Sequence, residues 1–332
     1  MEFRTTIKTA EQPGFLRHEH SVMLVGSCFS DNIGQKMRGA MMRALVNPMG
    51  TIYNPLSIAA SVERLVAGTP VAGMDLFQHS GVWNSFLFHS RFSLADKQAT
   101  LDHMNSRIAL AHETLRTCDV LVVTLGTAVV YRLHSTGEVV NNCHKVPQHE
   151  FERSMTSVAT MTTALDGMVR RLLDYNPKLR IIFTVSPIRH LADGLDVNSL
   201  SKASLRVAVN EVVSRHREAC VYFPAYEIMV DDLRDYRFYA ADMIHPTEVA
   251  VEYIWQTFQA TYFDDKGAQA VSRCERVSKR LQHRPMSANR DVVARFAADT
   301  AATPVAAAPA MNPLLLISTL FLPFNGASIS SP

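Results

Sequence analysis

Three short apolar runs, each closing on a glycine or a Ser-Pro pair, constrain what this chain can fold into. Val22-Met23-Leu24-Val25 stops at Gly26, Val120-Leu121-Val122-Val123-Thr124-Leu125 stops at Gly126, and Ile181-Ile182-Phe183-Thr184-Val185 stops at Ser186-Pro187. Continuous apolar runs of this length, with no polar alternation, are the mark of strands buried on both faces. Val221-Tyr222-Phe223, closed by Pro224, is a shorter fourth candidate. After the first run, Phe29, Ile33, Met37 and Met41 recur every four residues, so the strand leads directly into a helix. Segments with helical spacing separate the other runs: Pro55 to Val66, Leu101 to Leu115, Val158 to Leu173 and Ser201 to Val213. A last helix is expected to begin at Pro246 and to place Val251, Ile254, Trp255, Phe258 and Tyr262 on one face. Strands alternating with helices predict a doubly wound α/β layer fold with a parallel sheet.

A length of 332 residues does not by itself separate one domain from two. Patterning does: strand and helix signals run to about residue 265, fade over 266–295, and give way to an Ala/Pro-rich tail over 296–332 that is expected to be disordered. The longest apolar run, Leu314 to Phe324, is interrupted by Ser318, Thr319 and Pro323 and falls short of the roughly 20 residues a spanning helix needs. No membrane span is expected. With 33 Lys plus Arg against 31 Asp plus Glu and no block of like charge, nothing points to nucleic acid or an anionic membrane as partner. The five cysteines are odd in number and never paired as CxxC, and the first thirty residues carry charges throughout, without the apolar core of an export signal. A cytoplasmic, reducing location is the expectation.

In open parallel sheets ligands bind beyond the carboxyl ends of the strands, so chemistry is sought in Gly26-Ser27-Cys28, Gly126-Thr127 and Ser186-Pro187-Ile188-Arg189-His190. A Ser or Cys at a strand-to-helix turn sits on a helix N-terminus, which favours negative charge, lowers a thiol's pKa and offers backbone N–H donors to an oxyanion. The same residues also suit a purely structural use, with Ser27 as a helix cap and Cys28 as a small apolar side chain. Asp242 and His245 are spaced so that a carboxylate can orient an imidazole within one loop. Such a pair is common by chance, and its force comes from its place just before the last helix. The turn-rich loop Asn47 to Pro55 could supply the Gly50 N–H and an Asn amide to an anion, or serve only as a turn. His89, and Asn142 with its neighbours Cys143 and His144, are further candidates, as is His190 with Arg189 for an acidic substrate. Cys143, His144 and His149 lack the regular spacing of metal ligands, so no metal is assigned. No Walker loop, GxGxxG or HExxH is present, and no cofactor is expected.

Val25-Gly26-Ser27-Cys28-Phe29-Ser30 resembles the motif that names the GSCFA proteins, which are grouped with the SGNH or GDSL-type hydrolases. The likeness extends through Asn47 to Ile58, Thr124-Leu125-Gly126-Thr127, Asn142 to Pro147, Thr184 to His190 and Asp235 to Pro246, or about residues 3 to 263. The resemblance implies a flavodoxin-like three-layer α/β/α sandwich around a mainly parallel sheet of about five strands. It also implies a nucleophile after the first strand, glycine and asparagine oxyanion donors, and an Asp-x-x-His-Pro segment. By position Asp242 and His245 match that segment, and Gly50 matches the oxyanion glycine. The asparagine expected after Gly126 is missing, which leaves Asn54, Thr127 or Asn142 as substitutes. Column for column the nucleophile position holds Cys28, while Ser27 stands where the superfamily has an acid, so both remain open. The expected function is an acyl hydrolase or acyltransferase with a Cys/Ser-His-Asp triad. Its substrate is expected to be a small acyl-bearing molecule such as a carbohydrate ester or a thioester. A ligand-binding or assembly protein that kept the fold is the alternative, and the oligomeric state is not legible.

Overall fold

In the computed structural model, which describes residues 5–282 and Arg295 beyond them, five parallel strands form the central sheet. They are β1 (Ser21–Gly26), β2 (Arg43–Val46), β5 (Val120–Leu125), β8 (Arg180–Val185) and β9 (Cys220–Phe223), in the order β2-β1-β5-β8-β9. Between β2 and β5 the chain inserts the antiparallel pair β3 (Phe77–His79) and β4 (Val82–Asn84), and after β5 the pair β6 (Val129–Leu133) and β7 (Phe151–Met155). Along β1, Met23 and Val25 point to one face while Val22 and Leu24 point to the other, and all four are buried. The strands therefore read as unbroken apolar runs because helices cover both faces.

One face is covered by α2 (Pro55–Ala67), α3 (Lys97–Thr117), α4 (Val158–Tyr175) and α5 (Gly194–Arg215). The other is covered by α1 (Cys28–Gly39), the single turn α6 (Ala225–Glu227), α7 (Glu248–Tyr262) and α8 (Asp265–Gln282). The chain thus adopts the expected flavodoxin-like α/β/α sandwich. Helix α7 starts two residues later than Pro246 suggested. Thr247 caps α7 by accepting from Ala250 N at 3.3 Å, while Pro246 lies in an antiparallel bridge with Tyr239. Helix α8 occupies the first part of the segment read as an extension. It buries Val271, Cys274 and Val277, receives the Trp255 indole N–H on Glu275 at 2.9 Å, and donates from Ser278 Oγ to Gly39 O at 2.6 Å. The Ala/Pro-rich tail and the Leu314–Phe324 run lie outside the described residues. Among the described residues no helix is long and apolar enough to cross a membrane.

From β1 the chain steps outward to β2 and then returns past β1 to β5, so the strand order reverses between β1 and β5. Helices leave on opposite sides there, which opens a crevice at the carboxyl ends of the strands. The turn after β1 lies at that crevice.

Candidate active site

Gly26 ends β1 with φ 135°, and a Cβ on it would stand 2.1 Å from Thr124 O, so only glycine lets the two backbones approach this closely. Ser27 follows as the N-cap of α1. It is 1% exposed, and its Oγ accepts from Phe29 N at 3.3 Å. Cys28, the first residue of α1, is partly exposed, and its Sγ lies 3.7 Å from His245 Nε2. Of the two adjacent side chains, the structure turns the serine inward as a cap and the cysteine outward to the imidazole.

His245 stands in a loop fixed by its own backbone: Ala240 N donates to His245 O at 2.7 Å and Met243 N to Ala240 O at 2.9 Å. Arg189 N reaches Ile244 O at 3.2 Å and ties this loop to the one after β8. Asp242 Oδ1 accepts from Ile244 N at 2.9 Å and from His245 N at 3.0 Å, and its Oδ2 stands 2.6 Å from His245 Nδ1. Those backbone donors, with the imidazole, hold the Asp242 carboxyl down at about 2. An ionised carboxylate only accepts, so Nδ1 carries the hydrogen and the Nε2 lone pair faces Cys28 Sγ.

The thiol does not behave as its helix position suggested. Burial pushes Cys28 up to about 11 and Asp31 pushes the same way, outweighing the N–H groups of Cys28 and Phe29 and the charge of Lys202. A helix N-terminus supplies only partial charges, and here the sulfur loses more in leaving water than it gains from them. At neutral pH the resting group is a thiol, so nucleophilic attack needs a base.

The expected oxyanion donors are mostly committed elsewhere. Gly50 N donates to Asn47 O at 2.9 Å, closing a turn; with φ 92° and a Cβ position 2.2 Å from His89 Cβ, this glycine serves close packing. Asn54 caps α2, accepting from Ser57 N at 2.8 Å and donating to Ser57 Oγ at 3.0 Å. Thr127 Oγ1 pairs with Ser201 Oγ at 3.2 Å and accepts from Val129 N at 3.1 Å. Asn142 Oδ1 accepts from His144 N at 2.8 Å. His89 Nδ1 accepts from Arg91 N at 3.2 Å, and His144 Nε2 bonds Ser85 O at 2.8 Å, while His149 is exposed beside Glu150. Arg189 stacks on Tyr239, 3.7 Å from its ring centroid. His190 Nε2 donates to Gly126 O at 3.0 Å, and burial, then Lys202, lowers its pKa to about 4.

Sequence reading missed Lys202. It lies on α5 and is 1% exposed, with Nζ donating to Gly126 O at 2.7 Å and Ser186 O at 2.8 Å. The signal was present: α5 buries Asn198, Ser201, Lys202, Leu205, Ala208, Val209 and Val212, so a cation interrupts the core-facing stripe. Asn47 opens the loop after β2. Its Oδ1 accepts from Gly26 N at 3.0 Å, so it braces the turn beneath Cys28, near which burial raises the Asp31 carboxyl despite Arg91 and Asn47.

A thiol, an imidazole and a carboxylate thus stand in one line at the carboxyl edge of a parallel α/β/α sheet. The chain belongs to the GSCFA family, whose profile matches residues 21–258. A search of the curated proteins returns no match. Among solved structures the chain is similar to a carbohydrate esterase family 2 enzyme with a carbohydrate-binding domain from Corynascus thermopiles (Myceliophthora fergusii). That match has 11% identity and a TM-score of 0.36, covering 81% of this chain and 68% of that one. It is also similar to a family two carbohydrate esterase from Clostridium thermocellum in complex with cellohexaose, at 14% identity and a TM-score of 0.35, covering 76% and 65%. A third is an acetyl xylan esterase from the rumen bacterium Butyrivibrio proteoclasticus, at 9% identity and a TM-score of 0.36, covering 73% and 63%. The chain spans somewhat under two thirds of the length of the last two.

Proposed function

We propose that this protein is an acyl hydrolase or acyltransferase that works through a thioester on Cys28. The observation that carries the reading is the unbroken line from Cys28 Sγ through His245, at 3.7 Å and 2.6 Å, to Asp242. As Sγ attacks the carbonyl carbon of a small ester or thioester, His245 Nε2 takes the thiol proton, and Asp242 stabilises the imidazolium. The carbonyl π electrons move to oxygen, where the backbone N–H groups at the start of α1 would receive the oxyanion. Collapse of the intermediate expels the alcohol or thiol, which leaves with the proton held on His245. Water or a second hydroxyl then enters by the same route in reverse and frees the cysteine. Carbohydrate esters and thioesters of short acids are the substrates to try first.

Incubation with a chromogenic short-chain ester or thioester, followed by acid quench and mass spectrometry, is expected to show an acyl adduct on the Cys28 peptide. Cys28→Ala should abolish the adduct and the turnover, and His245→Ala should lower turnover by roughly 1,000-fold or more. Turnover unchanged in both variants would overturn the reading. The commitment of the Gly50, Asn54 and Thr127 donors favours a second reading, a ligand-binding protein that kept the fold. Loss of one oxyanion donor costs on the order of 100- to 1,000-fold. Saturable ester binding with no acyl adduct on Cys28 would support it.

A further inference from the structure

We infer that Lys202 is a positioning residue for the nucleophile: its buried ammonium joins the turns after β5 and β8 and sets the charge beneath Cys28. The inference rests on the reading of Cys28 as nucleophile. Its geometry follows from register. Gly26 pairs with Thr124 and Thr124 with Thr184 across β1, β5 and β8. Beyond these pairs Ser27 N donates to Thr124 O at 3.1 Å, Cys28 opens α1, and Gly126 and Ser186 open the turns after β5 and β8, so the three turns lie side by side at one edge of the sheet. Nζ donates to the carbonyls of Gly126 and Ser186, at 2.7 Å and 2.8 Å. The cation therefore lies under the edge on which the sulfur sits.

The two carbonyl bonds use the lysine's N–H groups but leave its positive charge without an anion. A fully buried ammonium loses several kcal/mol of hydration, and such groups are ordinarily retained only with an anionic partner. Among the described residues no carboxylate forms an ion pair with Lys202; it touches two carbonyls and faces the Tyr226 ring at 5.7 Å. Methionine would fill the same place on the apolar stripe of α5 without a charge, at the cost of the Nζ bonds to Gly126 O and Ser186 O.

The charge that grows on Cys28, first as thiolate and then as the oxyanion attached to it, is the anion this site otherwise lacks. The groups facing Cys28 are Asp31 on its own helix, His245 from the loop before α7, Tyr53 from the loop after β2, and Lys202. Those facing Lys202 are Cys28 and His190, with the Tyr226 ring behind. Burial lowers Lys202 to about 7 and an anion at Cys28 raises it, so the cation is most firmly present when the sulfur is charged.

The rate of iodoacetamide alkylation, followed on the Cys28 peptide from about pH 6 to about pH 10, reads the thiol directly and needs no ester turnover. A failed acyl-transfer reading therefore leaves this test intact. Lys202→Met is expected to slow alkylation of Cys28 at pH 6, where the lysine is charged, by about tenfold, one unit in thiol pKa, with the difference narrowing as pH rises past about 7 and Lys202→Arg recovering much of the loss. Cys143, pushed up to about 11 by burial alone, is the internal control and should keep its rate. An unaltered Cys28 profile in a Lys202→Met protein that melts like the parent overturns the inference. If Lys202→Met does not fold, the native lysine decides the matter. In a Cys143→Ala background, Cys28 is capped with an anionic or a cationic methanethiosulfonate, and the ¹³Cε signal of Lys202 is titrated. The midpoint should lie higher under the anionic cap, and equal midpoints overturn the inference.

Discussion

Asp242 does two jobs with two oxygens. Oδ1 holds the backbone of its own loop through the Ile244 and His245 N–H groups, while Oδ2 orients the imidazole. Asp242→Asn separates them. The amide oxygen can keep both backbone bonds, so the loop should hold its shape, but the amide nitrogen then donates to Nδ1 and forces the hydrogen onto Nε2. A donor then faces Sγ where a base is needed. We expect kcat to fall by roughly 1,000-fold or more with KM little changed and an unaltered melting temperature. An Asn variant that keeps most of its kcat would show that the tautomer is immaterial. At this scale the sequence was legible in part. The Asp-x-x-His spacing announced the pair, but nothing in the adjacent Ser27 and Cys28 said which faces inward. That is decided by the N-cap hydrogen bond, and a helix beginning one residue later would have exchanged them.

Strands β1, β5 and β8 stood out in the sequence because burial on both faces leaves no polar residue to break the run. Helix α5 was read as starting at Ser201 and begins at Gly194, because its first turns carry few apolar residues and bury Asn198. Gly50 shows why backbone donors are harder to assign: which N–H is free depends on a turn geometry that side chains do not encode. One packing detail at this scale reverses an ordinary preference. Gly34 lies inside α1, where alanine would normally add up to about 1 kcal/mol of helix stability. A Cβ there would stand 2.3 Å from Val46 Cγ2 on β2, so Gly34→Ala forces helix and strand apart. We expect a loss of about 1–3 kcal/mol by denaturant unfolding. Adding Val46→Ala should restore much of it, and additive losses in the double variant would refute the contact as the cause.

The whole molecule should weaken in mild acid. Burial lowers His89 and His190 to about 4, against an ordinary value of 6.5. The unfolded chain therefore binds protons between those values that the folded chain refuses. The resulting stabilisation is complete above pH 6.5 and is lost as pH falls through about 4. Melting temperatures should drop over that window, and His190→Gln should flatten the drop; an identical slope in the variant would assign the effect elsewhere. The sandwich also spreads its chemistry along the chain, with 217 positions separating Cys28 from His245. During synthesis the sulfur leaves the ribosome on the order of ten seconds or more before its base, at about 5–20 residues per second. On the proposed mechanism the thiol has no partner to take its proton until α7 docks, so a nascent chain would be chemically quiet, and any turnover would count finished molecules only.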